Sequence, residues 1–192
     1  MEHFLNELTL SVIIPVHNGG ENFRRCLSSI AAAVPPANEI IVVADGDTDG
    51  SWHFAEEFGA QVLRVPVPQG PAHARNFGAQ SAQGDILFFI DADVVIPPDA
   101  ISKVKSTFNN NPQLAALFGS YDDEPAEMNF LSQYKNLIHH YVHQMSREEA
   151  STFWAGCGAI HRQIFMEFGG FDESYRKPSI EDIELGYRLK RF

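Results

Sequence analysis

Gly84-Asp-Ile-Leu-Phe-Phe-Ile-Asp-Ala-Asp93 joins an apolar run, Ile86 to Ile90, to two carboxylates that are separated by one residue. An uninterrupted apolar run of this kind is typical of a strand buried on both faces of a parallel sheet. Because the run ends at Asp91, both carboxylates are expected at the carboxyl end of the strand, where open α/β sheets bind ligands. The segment therefore predicts a parallel sheet with a polar site at one edge.

Similar apolar runs occur along the chain and alternate with segments typical of helices. The predicted strands are Ser11–Val16, Glu39–Val43, Gln61–Val65, Asp85–Ile90 and a weaker Leu114–Phe118. The predicted helices are 21–34, 51–58, 71–82 with Pro71 in its first turn, and 97–108. This alternation favours an α/β fold with right-handed crossovers.

The second half of the chain begins with a long amphipathic helix. Apolar residues recur at helical spacing from about Ala126 to Met145 and predict a helix whose apolar face packs on the core. A surface helix for a membrane or a partner is the alternative. The segments that follow are a strand-like Thr152–Ala155, a glycine-rich Gly156-Cys-Gly158, a short helix to Phe168 and a helix from about Ile180.

The composition indicates a soluble globular domain. The chain has 192 residues, of which 44% are hydrophobic, and 14 Lys and Arg against 25 Asp and Glu give a net charge of −11. A chain of this length typically buries roughly 70% of its unfolded surface. We therefore expect a single domain over residues 1–192, with truncation at its C-terminus left open. The acidic balance opposes binding to nucleic acid but admits a phosphorylated small molecule if a divalent cation is present.

The expected location is cytoplasmic. The first ten residues contain Glu2 and Glu7 and lack the basic and apolar regions of a signal peptide. Cys26 and Cys157 form no disulfide framework and suit a reducing compartment. No apolar run approaches the roughly 18–20 residues of a membrane span. A position at the inner face of the membrane, reached through the helix at 126–145 or through a longer parent protein, is left open.

Acidic residues follow two of the predicted strands. Asp45-Gly-Asp-Thr-Asp49 comes directly after the second strand, and Asp91 and Asp93 come directly after the fourth. We expect both acidic loops to face one crevice, because the carboxyl ends of parallel strands share an edge of the sheet. Asp-x-Asp in this position can hold Mg²⁺ or Mn²⁺, which prefer oxygen ligands and keep waters and substrate phosphate oxygens; a solvated acidic turn is the alternative.

Two further candidates lie near predicted helix N-termini. Arg75 is a cation that could meet an anion together with the helix dipole, although an exposed helical arginine is more often only solvated. Glu181 and Asp182 open the last helix, where acidic residues are ordinary caps. The functional alternative for this pair is a general base, because an unperturbed Asp, with a pKa of about 3.9, is ionised at neutral pH.

Two other groups carry little functional weight. His139 and His143 share a helix face at a spacing that suits zinc, but the zinc-protease glutamate and a third ligand are missing from the pattern. Cys157 has no base placed beside it by the sequence, so a small buried residue is the expected role.

Seven segments in a fixed order carry a family resemblance. They are Ser11–Asn18, Val42–Ser51, Gly70–Asn76, Gly84–Asp93, Gly156–Gly158, Gly169–Glu173 and Glu181–Leu185. Together they resemble the family 2 glycosyltransferases, which are inverting enzymes with the GT-A fold that use nucleotide-diphosphate sugars. The resemblance implies one Rossmann-like, mostly parallel sheet sandwiched by helices, with the long amphipathic helix inserted in the second half.

The resemblance implies roles for residues on the nucleotide side of the site. Pro15 and His17 stand where the first loop of that family passes the nucleoside. Asp45 stands where a carboxylate reads the base, and Arg75 where a basic residue helps to hold the nucleotide. The donor sugar and its nucleobase are left open.

It also implies roles on the reacting side. Asp91 matches the acid near the ribose, and Asp93 matches the ligand of the Mg²⁺ or Mn²⁺ that bridges the diphosphate. Gly156 matches the small residue beside the donor sugar and the acceptor, and Asp182 matches the catalytic base. The implied activity is transfer of a sugar, with inversion, to an acceptor hydroxyl on an unidentified saccharide or lipid-linked molecule.

Two alternatives remain at the level of sequence. One is a module that binds nucleotide sugars without turning them over. The other is a phosphatase similar to the haloacid dehalogenases, in which Asp91 would be the nucleophile and Asp93 the acid/base. That fold begins at its signature strand, whereas strand and helix segments precede Asp91 here.

Overall fold

The computed structural model describes residues 7–124, 129–146 and 149–190. Its strands are β1 (Leu10–Val16), β2 (Glu39–Asp45), β3 (Gln61–Val65), β4 (Ile86–Ile90), β5 (Ala116–Phe118) and β6 (Cys157–His161). Its helices are α1 (Gly20–Ala31), α2 (Trp52–Glu57), α3 (Pro71–Ser81), α4 (Ala100–Asn110), α5 (Phe130–Met145), α6 (Arg162–Glu167) and α7 (Glu181–Leu189).

The strands of the described residues form one mixed sheet in the order β3-β2-β1-β4-β6-β5. β3, β2, β1 and β4 are parallel, whereas β6 runs antiparallel to both β4 and β5. Because β2 and β4 lie on opposite sides of β1, the strand order reverses there. The carboxyl ends of these three strands thus meet where open α/β sheets bind ligands.

Helices cover both faces of this sheet. Successive residues of a strand point to opposite sides, so an uninterrupted apolar strand presents apolar side chains to both helical layers. Ile14 and Phe88 pack in one buried cluster with residues of α1 and α4. Ile13 and Phe89 pack in a second cluster with residues of α3, α6 and α7. β1 and β4 therefore pack against two helical layers at once, which explains why residues 12–16 and Ile86–Ile90 contain no polar residue.

β3 is less buried than expected. It is an edge strand that pairs with β2, and all of its residues are exposed or half-buried. The expectation that every apolar run is buried on both faces is therefore wrong for Gln61–Val65, because an edge strand has fewer neighbours to cover it.

The strand predicted at Thr152–Ala155 is wrong, because the strand in this region is β6, which begins at Cys157. Gly158 lies within that strand, although glycine-rich sequence is typical of a turn. A Cβ atom on Gly158 would lie 2.4 Å from the backbone oxygen of Trp154 and 2.6 Å from the ring of Phe153. The glycine is thus required by the close approach of the preceding segment, a recognised use of glycine in strands.

α5 contains no buried residue, so the expectation that its apolar face packs on the core is wrong. Polar residues face the protein instead: Asn136 Nδ2 donates to the Asp122 carbonyl at 2.8 Å, and His140 Nδ1 lies 2.6 Å from the Tyr121 carbonyl oxygen. The exposed apolar residues of α5 are Phe130, Leu131, Tyr134, Leu137, Ile138, Tyr141, Val142 and Met145. Hydrophobic periodicity reveals an apolar face but not what covers it.

The predicted start of this helix, near Ala126, falls outside the described residues. That α5 is an insertion in the fold stays a prediction. Among the described helices, none has both the length and the apolar character that crossing a bilayer requires.

Candidate active site

A cavity of about 370 Å³ opens at the carboxyl ends of β1, β2 and β4. Cavities that hold small ligands are commonly about 300–1,000 Å³. Among the residues that line it are these candidates from the sequence: Pro15, His17, Asp45, Arg75, Asp91 and Asp93. Gly156 and Asp182 are not among the described residues that line it.

Asp45 ends β2 and is buried at the wall of the cavity. Its Oδ1 accepts a hydrogen bond from the backbone N–H of Gln69 at 2.8 Å, and its Oδ2 accepts one from Gly70 at 2.7 Å. His17 Nδ1 lies 2.7 Å from the Asp45 carbonyl oxygen. Asp45 therefore anchors both the loop that leads into α3 and the loop that follows β1.

Only part of the first acidic loop faces the cavity. Asp47 Oδ1 accepts a hydrogen bond from Asn18 N–H at 3.0 Å, and Asp49 Oδ1 accepts one from Ser51 N–H at 2.8 Å. Neither aspartate is among the described residues that line the cavity. Asp47 and Asp49 are therefore exceptions to the expectation that this acidic loop faces the crevice, because Asp47 binds the loop that follows β1 and Asp49 binds the residue before α2.

Arg75 is buried, with 5% of its surface exposed, which rules out the alternative of a merely solvated helical arginine. Its Nη2 lies 2.7 Å from Asp91 Oδ1, and its Nη1 lies 2.9 Å from Glu181 Oε1. Burial alone would lower the pKa of Arg75, but the two carboxylates outweigh burial and raise it. The guanidinium therefore stays charged, and its charge is already paired with two carboxylates before any anion binds.

Glu181 is a residue whose contact with Arg75 the sequence does not reveal. It is buried and also accepts a hydrogen bond from the Ser179 N–H at 3.0 Å. An acidic residue in a first helical turn reads as an ordinary cap. Because 106 positions separate Glu181 from Arg75 along the chain, no local pattern could have paired them.

Gly156 lies directly behind Asp91. The Asp91 N–H donates to the Gly156 carbonyl at 2.9 Å, and a Cβ atom on Gly156 would lie 3.1 Å from Asp91 Oδ2. A larger residue at position 156 would thus press on the Asp91 carboxylate.

Asp182 lies in the first turn of α7. Its Oδ2 accepts a hydrogen bond from the Ala155 N–H at 3.2 Å, and its Oδ1 accepts one from the Ile183 N–H at 2.8 Å. Burial raises the pKa of Asp182 and Glu181 raises it further, against the lowering effects of the two backbone N–H groups and of Arg75. Asp182 thus binds Ala155, and the next residue, Gly156, accepts a hydrogen bond from the Asp91 N–H. These backbone contacts link Asp182 to Asp91.

The carboxylate of Asp93 is free to take a metal ion. Asp93 is exposed at the cavity and pairs with no cation in the part of the chain that the structure describes. The same residues contain no group of three or more His, Cys, Asp or Glu side chains arranged for a metal. Mg²⁺ is commonly held by one or two carboxylates plus substrate phosphates and waters. Asp93 thus fits a cation whose coordination a phosphorylated substrate would complete.

The residues given little functional weight have structural contacts. The rings of His139 and His143 lie 5.5 Å and 4.7 Å from the ring of Trp154, in edge contacts. Burial raises the pKa of Cys157 to about 11, so its thiol is neutral at ordinary pH. A half-buried neutral thiol agrees with a packing role.

The cavity also contains two cations that the sequence reasoning missed, Arg176 and Lys177. The only signal in the sequence is that they are adjacent basic residues in a chain of net charge −11. They lie in the segment between α6 and α7, which reads as an ordinary loop. Their presence in the cavity depends on how that segment folds, which the sequence alone does not show.

The sequence profile of Glycosyl transferase family 2 matches residues 11–169. The chain belongs to this family. The match covers most of the segments on which the resemblance rests, and it removes the phosphatase alternative.

Two curated relatives of this family 2 chain illustrate the likeness. One is an uncharacterised glycosyltransferase, YibD, of Escherichia coli, which is 39% identical over 93 residues, 46% of this chain and 27% of the relative. The other is dolichol-phosphate mannosyltransferase of Pyrococcus furiosus, 34% identical over 113 residues, 56% of this chain and 32% of the relative. The chain thus matches between about a quarter and a third of the length of these relatives.

Two solved structures share the fold. A mannosyltransferase of Pyrobaculum calidifontis in complex with GDP-Man and Mn²⁺ has a TM-score of 0.70 at 21% identity, over 95% of this chain and 51% of that one. Staphylococcus aureus TarS in complex with UDP-GlcNAc has a TM-score of 0.73 at 19% identity, over 93% of this chain and 52% of that one. The predicted fold class, an α/β GT-A fold with a mostly parallel sheet sandwiched by helices, is confirmed.

Proposed function

We propose that this family 2 domain transfers a sugar, with inversion, from a nucleotide-diphosphate sugar to an acceptor hydroxyl, with Asp182 as the general base. One observation carries the proposal: Asp182 is a half-buried carboxylate with a raised pKa, hydrogen-bonded to Ala155 beside the wall that holds Asp91. Groups whose pKa burial displaces toward neutrality suit acid–base work.

The reaction follows from the chemistry of the ionised carboxylate. Asp182 would accept the proton of the acceptor hydroxyl while that oxygen attacks the anomeric carbon from the face opposite the diphosphate. The new carbon–oxygen bond forms as the bond to the diphosphate breaks, and the electron pair of that bond leaves with the diphosphate. Attack from the opposite face inverts the configuration at the anomeric carbon. Burial makes Asp182 a stronger base than an exposed aspartate, which favours proton transfer.

Asp93 would hold a divalent cation, Mg²⁺ or Mn²⁺. When bound, such a cation neutralises negative charge on the diphosphate. The Pyrobaculum calidifontis mannosyltransferase was solved with GDP-Man and Mn²⁺, which supports a divalent cation for this chain. The free, exposed carboxylate of Asp93 supports its assignment as the protein ligand.

Replacing Asp93 with Asn should remove most of the effect of Mn²⁺ on nucleotide binding. The reason is that an amide lacks the charge that attracts a hard cation. Calorimetric titration of UDP or GDP with Mn²⁺ and with EDTA measures this effect. We expect the affinity of the wild-type chain to fall on chelation and that of the variant to change little. Equal affinities of the wild-type chain with and without EDTA would refute the cation assignment.

The nucleotide side of the cavity would be formed by Pro15, His17 and Asp45, with Asp91 near the ribose. Asp45 retains acceptor capacity beyond its bonds to Gln69 and Gly70, which suits recognition of a nucleobase N–H. A thermal-shift screen of nucleotide-diphosphate sugars, with and without Mn²⁺, tests donor binding. At least one donor should raise the melting temperature, and no shift with any donor would contradict the proposed function.

The acceptor is a saccharide or a lipid-linked molecule. We also propose that the domain associates with the cytoplasmic face of a membrane. The outward apolar face of α5 supports this. Amphipathic helices bind bilayers through such faces.

A further inference from the structure

We propose that Arg176 and Lys177 form a cationic clamp for the diphosphate of the donor, in addition to the cation at Asp93. This inference rests on the proposed function, because it names further residues that would bind the same substrate. Both side chains are exposed, and both line the cavity that contains Asp91 and Asp93.

In the described part of the chain, the cavity contains three arginine and lysine side chains, Arg75, Arg176 and Lys177, which differ in their availability to an anion. Arg75 is not available, because Asp91 and Glu181 already pair with its guanidinium. Arg176 and Lys177 form no ion pair with an acidic residue anywhere in the described ranges. Among the described residues, they are therefore the Arg and Lys side chains of this cavity that form no ion pair.

The segment that carries Arg176 and Lys177 is held against α3 at its start. Asn76 of α3 donates through Nδ2 to the Phe171 carbonyl at 2.8 Å and to Glu173 Oε1 at 2.9 Å, and its Oδ1 accepts from the Phe171 N–H at 2.9 Å. His73 Nδ1 lies 2.9 Å from Glu173 Oε2. Two successive turns of α3 thus anchor the start of the segment.

The same segment contacts the residue before α3 at the cavity itself. Gly70, the residue before α3, has a φ of +100°, and a Cβ atom there would lie 2.4 Å from the Arg176 carbonyl oxygen. Only glycine admits this approach of the two backbones. The contact holds the backbone of Arg176 against the N-terminus of α3. Arg176 and the adjacent Lys177 are therefore positioned at the cavity.

The charge of the cavity is consistent with this role. Its charged lining consists of Asp45, Asp91, Asp93, Arg75, Arg176 and Lys177, so carboxylates and cations balance there although the whole chain carries −11. Without the two loop cations, an incoming diphosphate would meet an excess of carboxylates. With them, part of its binding does not depend on the divalent cation.

The test is calorimetric titration of UDP, GDP, CDP, ADP and dTDP, each with Mn²⁺, into the wild-type chain and into Arg176→Ala/Lys177→Ala. Exposed ion pairs each contribute about 0.2–1 kcal/mol, so the double variant should bind the preferred diphosphate roughly 2- to 30-fold more weakly. The difference should shrink at high salt, because exposed charges are screened. The corresponding nucleoside, which lacks the diphosphate, should bind both proteins equally.

Arg25→Ala/Lys103→Ala is the matched control, because it removes the same two charges at exposed positions that do not line the cavity. It should bind as the wild type does, and Arg176→Lys/Lys177→Arg should retain most of the affinity. Equal affinity of the wild type and Arg176→Ala/Lys177→Ala would overturn the clamp while leaving the proposed function intact. An equal loss in the control would also overturn it, by showing an effect of net charge. Failure of every diphosphate to bind the wild type would overturn the proposed function and the clamp with it.

Discussion

Replacing Asp182 with Asn should lower turnover by about 10²–10⁴-fold, the usual contribution of a general base. An amide cannot accept the proton of the acceptor hydroxyl, but it keeps an oxygen that can accept one of the backbone N–H bonds from Ala155 or Ile183. Donor binding, measured by calorimetry, should therefore change little. The expected signature is a loss in kcat with donor affinity preserved.

Asp99→Asn is a suitable control, because it makes the same chemical change at an exposed residue whose ion pair with Lys103 is also exposed. It should retain wild-type turnover. Full activity of Asp182→Asn would show that Asp182 is not the general base. If neither the wild-type chain nor Asp99→Asn released a nucleoside diphosphate from a donor that binds, a module that binds nucleotide sugars without turning them over would be the better description.

The pH dependence of kcat/KM offers a second view of the same carboxylate. Burial, and then Glu181, raise the pKa of Asp182 in the folded chain. A base must be ionised to act, so activity should fall as pH decreases through this raised pKa, at a higher pH than an ordinary aspartate would give. The acidic limb should disappear in Asp182→Asn, which ties it to this residue.

Replacing Arg75 with Met should destabilise the fold by about 3–5 kcal/mol, the typical result of removing one member of a buried ion pair. Glu181 is 4% exposed, so its charge would be left without a partner in a poorly solvated position. Asp91, with 39% of its side chain exposed, would be hydrated more easily. Urea denaturation measures the loss as a lower midpoint at unchanged slope.

Lys103→Met provides the contrast, because the pair of Lys103 with Asp99 is exposed and such pairs contribute about 0–1 kcal/mol. The double variant Arg75→Met/Glu181→Leu should recover part of the stability, because it removes the isolated charge together with its partner. If Arg75→Met proved as mild as Lys103→Met, the buried pair would not stabilise this fold.

Much of the fold could be predicted from the sequence, because strands buried between two helical layers leave uninterrupted apolar runs. Ile86–Ile90 is the clearest case, and Pro71 correctly marks the first turn of α3. The predictions failed where burial depends on distant neighbours. Gly158 is in a strand because the segment before it folds across that strand, and the apolar residues of α5 face outwards although their spacing is that of a packed helix.

The same distinction applies to the candidate site. Asp91 and Asp93 are recognisable because strand ends at a reversal of strand order are predictable places for ligands. Arg176 and Lys177 were missed, and the pairing of Glu181 with Arg75 was not predicted, because these contacts with the cavity and with α3 are encoded by no local pattern. Arg75 was named as a site residue, but its burial between two carboxylates could not be anticipated.

The most direct test is a crystal structure of the chain with Mn²⁺ and the nucleoside diphosphate that binds most tightly, with anomalous scattering used to locate the metal. We predict an Mn²⁺ peak at the Asp93 carboxylate and a diphosphate in the cavity between Asp93 and the Arg176–Lys177 pair, with Asp182 facing the position that the sugar would occupy. A nucleotide bound outside this cavity, or Mn²⁺ bound away from Asp93, would contradict the assignment of this cavity as the donor site.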